Sequence, residues 1–270
     1  MWPNDIRCPA MLTFDLDGRT LALMRDPDAA QHPTTLSMSD FGPRRGVWRI
    51  LDLLDEHEIP ASFFVPGYIA ERNEDVVREI VKRGHEVGHH GYMHEPPASL
   101  TAEQEIEVMD RSLAILESIT GDRPVGYRAP SWDLSVRSLD LIAERGFLYD
   151  SSMMDDDIPY LLDTKSGPLV ELPVHWFQDD APYFWFNRGA GSMNTPQDVL
   201  TAWEWEFDGA YKHGGVFMLT CHPQVSGHLS RVVMLDRLIR HIKAHPDARF
   251  MRCADVAAIV RERANGPDNG

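Results

Sequence analysis

The residues most able to do chemistry lie in four short stretches. Met11-Leu12-Thr13-Phe14-Asp15-Leu16-Asp17-Gly18 is an apolar run that ends on two carboxylates and a glycine. In a strand, positions i and i+2 point to one face, so Asp15 and Asp17 could share a site. A core strand has no structural use for two such charges, because an unpaired buried carboxylate is costly. A turn, where Asp and Gly are common, is the competing reading. Farther on, His85, His89, His90 and His94 crowd into Gly84 to His94. His90 and His94 are spaced so that one helical turn would aim both imidazoles one way. Two imidazoles and a carboxylate make a common face for a divalent ion, with positions left open for water and substrate. Asp17 is the candidate carboxylate. A polar loop whose histidines bond backbone groups would look the same locally. His222, in Leu219-Thr220-Cys221-His222-Pro223, reads as a satisfied core imidazole or as a general acid, which needs a perturbing neighbour and reach to a leaving group. Arg128, ahead of Ala129-Pro130-Ser131-Trp132, reads equally as half of a structural ion pair or as a functional group.

These residues need elements to position them. Apolar runs at 8–15, Ala61–Val65, Glu86–Gly88, Val125–Arg128, Phe147–Asp150, Leu169–Val174, Gly215–Thr220 and Arg249–Met251 read as strands. Helical patterns separate them. Val47, Ile50, Leu51 and Leu54 stripe a helix from Arg44 to His57, and Glu71 to Arg83 forms another that stops at Gly84. Thr101 and Gln104 fit a capping box that opens a helix to about Thr120. Ser135 caps one ending at Gly146, Thr195-Pro196 opens the next, and Ser230–Ala244 precedes a C-terminal helix. Such alternation predicts an α/β fold with a parallel sheet. About seven strand–helix units suit a single-domain barrel, and the acidic turn after the first strand argues against an open dinucleotide-type sheet. In a barrel, active residues sit at the C-terminal ends of strands. Asp15 and Asp17, His89 to His94, Arg128, Asp150 and His222 all fall there. The segments 18–43 and 175–194 lack clear periodicity and are expected to be long loops at the site or between subunits.

Composition narrows the partners. The chain is 43% hydrophobic and 25% charged with a net charge of −16, and it has no Lys/Arg run, so nucleic acid and anionic membranes are not expected ligands. Cys8, Cys221 and Cys253 have no C-x-x-C spacing and are expected to be reduced. The N-terminus shows no basic and apolar leader pattern, and no apolar run is long enough for a span, so a soluble cytoplasmic protein is expected.

Thr13-Phe14-Asp15-Leu16-Asp17, His90-x-x-x-His94, Arg128-Ala129-Pro130 and Leu219-x-x-His222-Pro223 together resemble, in order and approximate spacing, the polysaccharide deacetylase family, the family-four carbohydrate esterases. The resemblance spans roughly residues 8 to 260. It implies a distorted (β/α) barrel with one divalent metal ion, usually Zn2+, held by Asp17, His90 and His94. It implies Asp15 as catalytic base, Arg128 as the residue that orients it and His222 as general acid. Asp150 would tune His222, with Asp155, Asp156 and Asp157 as rivals, and Trp132 with His89 would face the substrate. Two departures, Leu16 between the aspartates and Gly91 after the first metal histidine, fit a cytosolic branch resembling Helicobacter-type peptidoglycan deacetylase and cyclic imide hydrolases. That branch implies a homotetramer. The implied function is metal-dependent hydrolysis of a non-peptide C–N bond in a small cyclic imide or ureide or an N-acetylated amino sugar. The alternative is a catalytically decayed scaffold that only binds.

Overall fold

The computed structural model describes residues 2–3, 5–187, 190–191 and 193–265. Its strands are β1 (Cys8–Asp15), β2 (Ser62–Val65), β3 (Glu86–His89), β4 (Gly126–Tyr127), β5 (Tyr149–Asp150), β6 (Tyr160–Thr164), β7 (Gly167–Glu171), the small hairpin β8 (Phe186–Asn187) and β9 (Ala190–Gly191), β10 (Phe217–Cys221) and β11 (Ala248–Phe250). The main sheet runs β10-β1-β2-β3-β4-β5-β7-β6, and β11 pairs with the start of β1. All of these pairings are parallel except β6 against β7. The α/β barrel expected from the alternation is therefore present, with an antiparallel edge that the apolar patterning did not reveal. Every residue of β1 is buried, as a parallel strand covered on both faces must be.

The register brings the strand ends to one level. Asp15 lies opposite Phe64, Val65 opposite His89, His89 opposite Tyr127, and Tyr127 opposite Asp150. Alternation along β1 divides the core. Cys8, Ala10, Leu12 and Phe14 pack outward with Leu51, Leu54 and Phe63. Met11 packs inward with Phe64, Tyr149, Val170 and Met218.

The helices follow the sequence closely where periodicity is long. Thr101 and Gln104 form both bonds of the capping box, and Gly121 ends that helix in the left-handed region at φ 85°. The Arg44–His57 expectation is met by Val47–Glu56, continuous with a π-turn at Gly42–Gly46. Two readings need correction. The segment 18–43 is not an irregular loop. It holds helices Thr20–Arg25 and Pro33–Phe41 and a 3-10 turn, Pro27–Gln31. Each is short and separated from the next by proline in a first turn, so no apolar period accumulates. The expected Glu71–Arg83 helix is two, Gly67–Arg72 and Glu74–Lys82, broken at Asn73. Positions 188, 189 and 192 of the expected 175–194 loop, and the tail from 266, lie outside the described residues.

Candidate active site

The tip of β1 explains why two carboxylates separated by one leucine act together. Leu16 still donates its N–H to the Phe64 carbonyl at 2.9 Å, so the extended chain continues past Asp15. Leu16 packs into the outer core, and Asp15 and Asp17 both face the barrel mouth, where neither is more than 3% exposed. Gly18 then takes φ 51°, and Thr20 returns N–H and hydroxyl bonds to the Asp17 carbonyl at 3.0 and 2.7 Å. The chain thus turns into helix Thr20–Arg25 directly beneath the pair.

Arg128 is fully buried in the barrel interior. Its Nη1 donates to Asp15 Oδ1 at 2.9 Å and to Thr13 Oγ1 at 2.8 Å. Nη2 donates to Ser151 Oγ at 3.0 Å and Nε to the Ser151 carbonyl at 3.3 Å, and the guanidinium lies 4.1 Å from the Phe64 ring centre. Burial alone would raise the Asp15 carboxyl. Arg128, with the imidazolium of His222, outweighs it and holds Asp15 below the usual carboxylate range. Asp15 is therefore ionised, with one oxygen tied to Arg128 and the other, Oδ2, 3.8 Å from His90 Nε2.

Asp17, His90 and His94 form a different environment. His90 Nε2 is 3.5 Å from Asp17 Oδ1, and His94 Nε2 is 3.7 Å from Asp17 Oδ2. Neither Asp17 oxygen has a hydrogen-bond partner among the described residues, and nor does His90 Nε2. Buried polar atoms are normally paired, so this cluster asks for a cation at its centre. Two ligands on a tetrahedral ion with bonds of 2.0–2.1 Å lie about 3.4 Å apart, close to both separations. His90 Nδ1–H donates to the Arg128 carbonyl at 2.8 Å, which turns the lone pair of Nε2 toward Asp17. Burial lowers the pKa of His90 and takes His94 well below its usual value, so both imidazoles are neutral, as metal ligands must be. Burial also pushes the Asp17 carboxyl up to about 8, against His222 and with help from Asp15. Asp17 stays ionised at neutral pH when a cation sits against it. The loop delivering these ligands turns through the left-handed region, where Gly91 sits freely at φ 68° and His94 takes φ 65°.

His222 closes the constellation. Its Nε2 lies 3.6 Å from Asp17 Oδ2, and its Nδ1–H donates to Asp180 Oδ1 at 2.7 Å. Asp180 Oδ2 accepts from the His222 backbone N–H at 2.8 Å and from Ser226 Oγ at 2.5 Å. Asp179 Oδ1 stands 3.7 Å from the same Nδ1. Burial would lower the imidazole's pKa, but Asp179 and Asp180 outweigh it and raise it well above its usual value. His222 is thus a held imidazolium with its free nitrogen facing the cavity.

Asp150 is paired elsewhere than with His222. It accepts from Ser152 Oγ at 2.9 Å and is coupled by charge to Glu171 on β7, the strand beside it. The rivals are paired elsewhere as well: Asp155 takes the Tyr160 hydroxyl, Asp156 caps its own turn through Asp157 and Ile158, and Asp157 pairs with His175 at 3.7 Å. Sequence pattern alone does not single out Asp179 and Asp180. Their segment bridges in parallel to Thr220, with Asp180 N–H donating to the Thr220 carbonyl at 3.1 Å, so it continues the sheet beside β10. The acidic doublet inside an aromatic stretch was the available signal. His89 is placed away from the cavity lining as well. Neighbours on a strand face opposite sides, so His89 turns away from His90, contacts the Met109 carbonyl at 3.2 Å and stacks on Tyr127 at 5.0 Å. Burial lowers its pKa to about 3.

Trp132 does stand at the site. It is held at φ 54°, after Ser131 at φ 57°, and packs 4.3 Å from Trp176. The cavity measures about 60 Å3, and its walls include Asp15, Asp17, His90, His94, Trp132 and His222. Leu21, Arg25 and Trp176 also line it, so residues from both long segments border the cavity.

With this geometry in view, comparisons with known proteins converge. Residues 29–149 match the family model described as Polysaccharide deacetylase. The peptidoglycan deacetylase of Helicobacter pylori is 33% identical, covering 83% of this chain and 87% of its own. A solved Mycobacterium smegmatis structure given the same family name is 38% identical with a TM-score of 0.95, covering 98% and 93%. The solved Puue allantoinase is 27% identical with a TM-score of 0.85, covering 95% and 91%. The chain belongs to the polysaccharide deacetylase family. That family is one of hydrolases acting on carbon–nitrogen bonds other than peptide bonds.

Proposed function

We propose that this chain hydrolyses a small amide or imide with the help of one divalent ion, Zn2+ by ligand chemistry, held by Asp17, His90 and His94. The observation that carries the reading is the partition of one cavity wall. A carboxylate held by Arg128 and an imidazolium held by Asp180 flank a buried cluster in which both Asp17 oxygens and His90 Nε2 lack partners among the described residues. When bound, the ion supplies Lewis acidity, polarising a carbonyl and lowering the pKa of water toward about 7.

The chain's own residues supply the proton transfers. Asp15 Oδ2, free of Arg128, accepts a proton from the attacking water as its oxygen bonds to the carbonyl carbon. Arg128 keeps that carboxylate ionised and aimed. His222 Nε2–H then protonates the nitrogen as the C–N bond breaks, releasing an amine (or ring-opened amide) and a carboxylic acid. Asp180 holds the imidazolium in place for that step, and Asp179 strengthens its charge. Trp132 and Trp176 wall the cavity against bulk water.

The cavity is small. At about 10–15 Å3 per water it holds a few waters, or one acyl group. That favours a small cyclic imide or ureide, or an N-acetylated amino sugar entering by its acetamido group, over a polymer seated along a groove. The allantoinase neighbour supports the small-ureide reading, and the peptidoglycan deacetylase relative, named for a polymer, supports only the deacetylation chemistry. We also propose a cytoplasmic homotetramer. Trp176, Phe177 and Phe186 are 44–47% exposed on the segment that reaches the site, a face for a second subunit that sedimentation would test. No helix among the described residues is long and apolar enough to cross a membrane. The deciding experiment is turnover by the zinc-loaded protein across N-acetyl amino sugars, succinimide-type imides and allantoin. Hydrolysis of one class is expected. A protein with neither stoichiometric zinc nor turnover of any class would instead fit the decayed scaffold.

A further inference from the structure

We propose a second divalent-metal site on the outer helical layer, formed by Asp208, His241 and His245. Asp208 lies on helix Pro196–His213. His241 lies in the last turn of helix Leu229–Lys243, and His245 follows just beyond its end. The three share no residue with the Asp17 cluster. They join two helices that otherwise meet through apolar packing.

The geometry fits a tetrahedral ion. His241 Nε2–H donates a hydrogen bond to Asp208 Oδ1 at 2.7 Å, which an entering ion would replace, and His245 Nε2 stands 3.9 Å from the same oxygen. These values straddle the separation of about 3.4 Å between two ligands on a tetrahedral zinc. Small rotations of the side chains would equalise them. The imidazole rings are 5.2 Å apart, with a single carboxylate between their inner nitrogens.

The site is also preorganised. His245 Nδ1–H donates to the His241 carbonyl at 3.1 Å, which leaves Nε2 as the lone-pair nitrogen facing Asp208. Phe207, fully buried, packs edge-on against both imidazoles at 5.8 and 5.0 Å, and Tyr211 supports His245 at 4.7 Å. The ligand side chains remain 28–48% exposed, so an ion can enter from solvent and keep water in its open position. Two imidazoles and one carboxylate select Zn2+, Ni2+ or Cu2+ over Mg2+ or Ca2+, which prefer oxygen ligands. Bound there, the ion staples the two helices, and the chain holds two ions where the family motif accounts for one.

The test is zinc titration of the metal-stripped full chain by calorimetry, with thermal melts on the same samples. Wild type is expected to bind two zinc ions, and His245→Ala and Asp208→Asn one each. Loss of a ligand should weaken the outer site at least about 100-fold. At zinc 100-fold above Kd, filling the outer site in the Asp17→Ala protein should raise Tm by about 5 °C, and the added His245→Ala change should abolish that rise. Turnover of His245→Ala should match wild type. Titration of His245→Ala and Asp208→Asn that is indistinguishable from wild type would overturn the proposal, as would an Asp17→Ala protein that binds no zinc. If Asp17→Ala instead still bound two ions while His245→Ala bound one, the outer site would stand and the catalytic assignment would fall.

Discussion

Replacing Asp180 by asparagine isolates what holds the proton on His222. The carboxylate makes three bonds: from His222 Nδ1 at 2.7 Å, from the His222 backbone N–H at 2.8 Å and from Ser226 Oγ at 2.5 Å. Asparagine keeps the shape but has one acceptor oxygen and no charge. Either its amide N–H meets the His222 backbone N–H, donor against donor, or it meets Nδ1, where it favours a neutral ring. A hydrogen bond to a charged group is worth about 1.5–3 kcal/mol, and one pKa unit corresponds to about 1.4 kcal/mol. His222 should therefore lose about one to two units. Asp179, 3.7 Å away, remains in place and holds the loss toward the lower end. The protonated imidazole is the competent form, so its loss appears on the alkaline side. The alkaline limb of kcat/KM should move down by about one unit, so turnover should fall toward about 10-fold at pH above the limb and change little at neutral pH. Asp150→Asn should leave that limb in place. The assay is a pH series on the best substrate from the panel. An Asp180→Asn protein slowed equally at every pH, with the limb unmoved, would refute the argument.

Other outcomes follow from single contacts. Trp132→Ala removes a cavity wall packed 4.3 Å from Trp176, and steady-state kinetics should show KM raised several-fold with a smaller loss in kcat. His85 is buried with neither ring nitrogen bonded among the described residues, and burial lowers its pKa from 6.5 to about 4. The unfolded chain takes up that proton below about pH 6.5 and the folded chain only near pH 4, so stability falls across that window as pH drops. Urea melts of His85→Leu should show a shallower acid decline. A methyl group at Gly46 would stand 2.0 Å from the Pro223 carbonyl oxygen, beside the turn that carries His222. Gly46→Ala should lower stability by about 3 kcal/mol or more, read as a drop in Tm.

Much of the site was legible because it depends on residue type at strand ends. Asp15 and Asp17 share a face by strand alternation, and the same rule applied to β3 sends His90 inward and His89 outward. That outward turn of His89 was available in principle. Arg128 and His222 follow strands whose apolar runs are plain. Asp179 and Asp180 were not legible, because their role depends on which distant segment docks beside β10, a pairing that local pattern does not encode. Asp150 misled for the converse reason: it ends a strand like the others, but Glu171 on the neighbouring strand takes it into a buried carboxyl pair. The helices of 18–43 were hidden by proline breaks shorter than one apolar period.

The central claim is that the two β1 carboxylates are unequal: Asp17 holds the ion and Asp15 carries the proton. The most direct test compares Asp15→Asn with Asp17→Asn in a His245→Ala background, measuring bound zinc and turnover on the same samples. Asp15→Asn should keep one zinc per chain and lose turnover by about 100- to 10,000-fold, and Asp17→Asn should lose both. An Asp15→Asn protein with near wild-type turnover, or an Asp17→Asn protein that retains its zinc, would contradict the account.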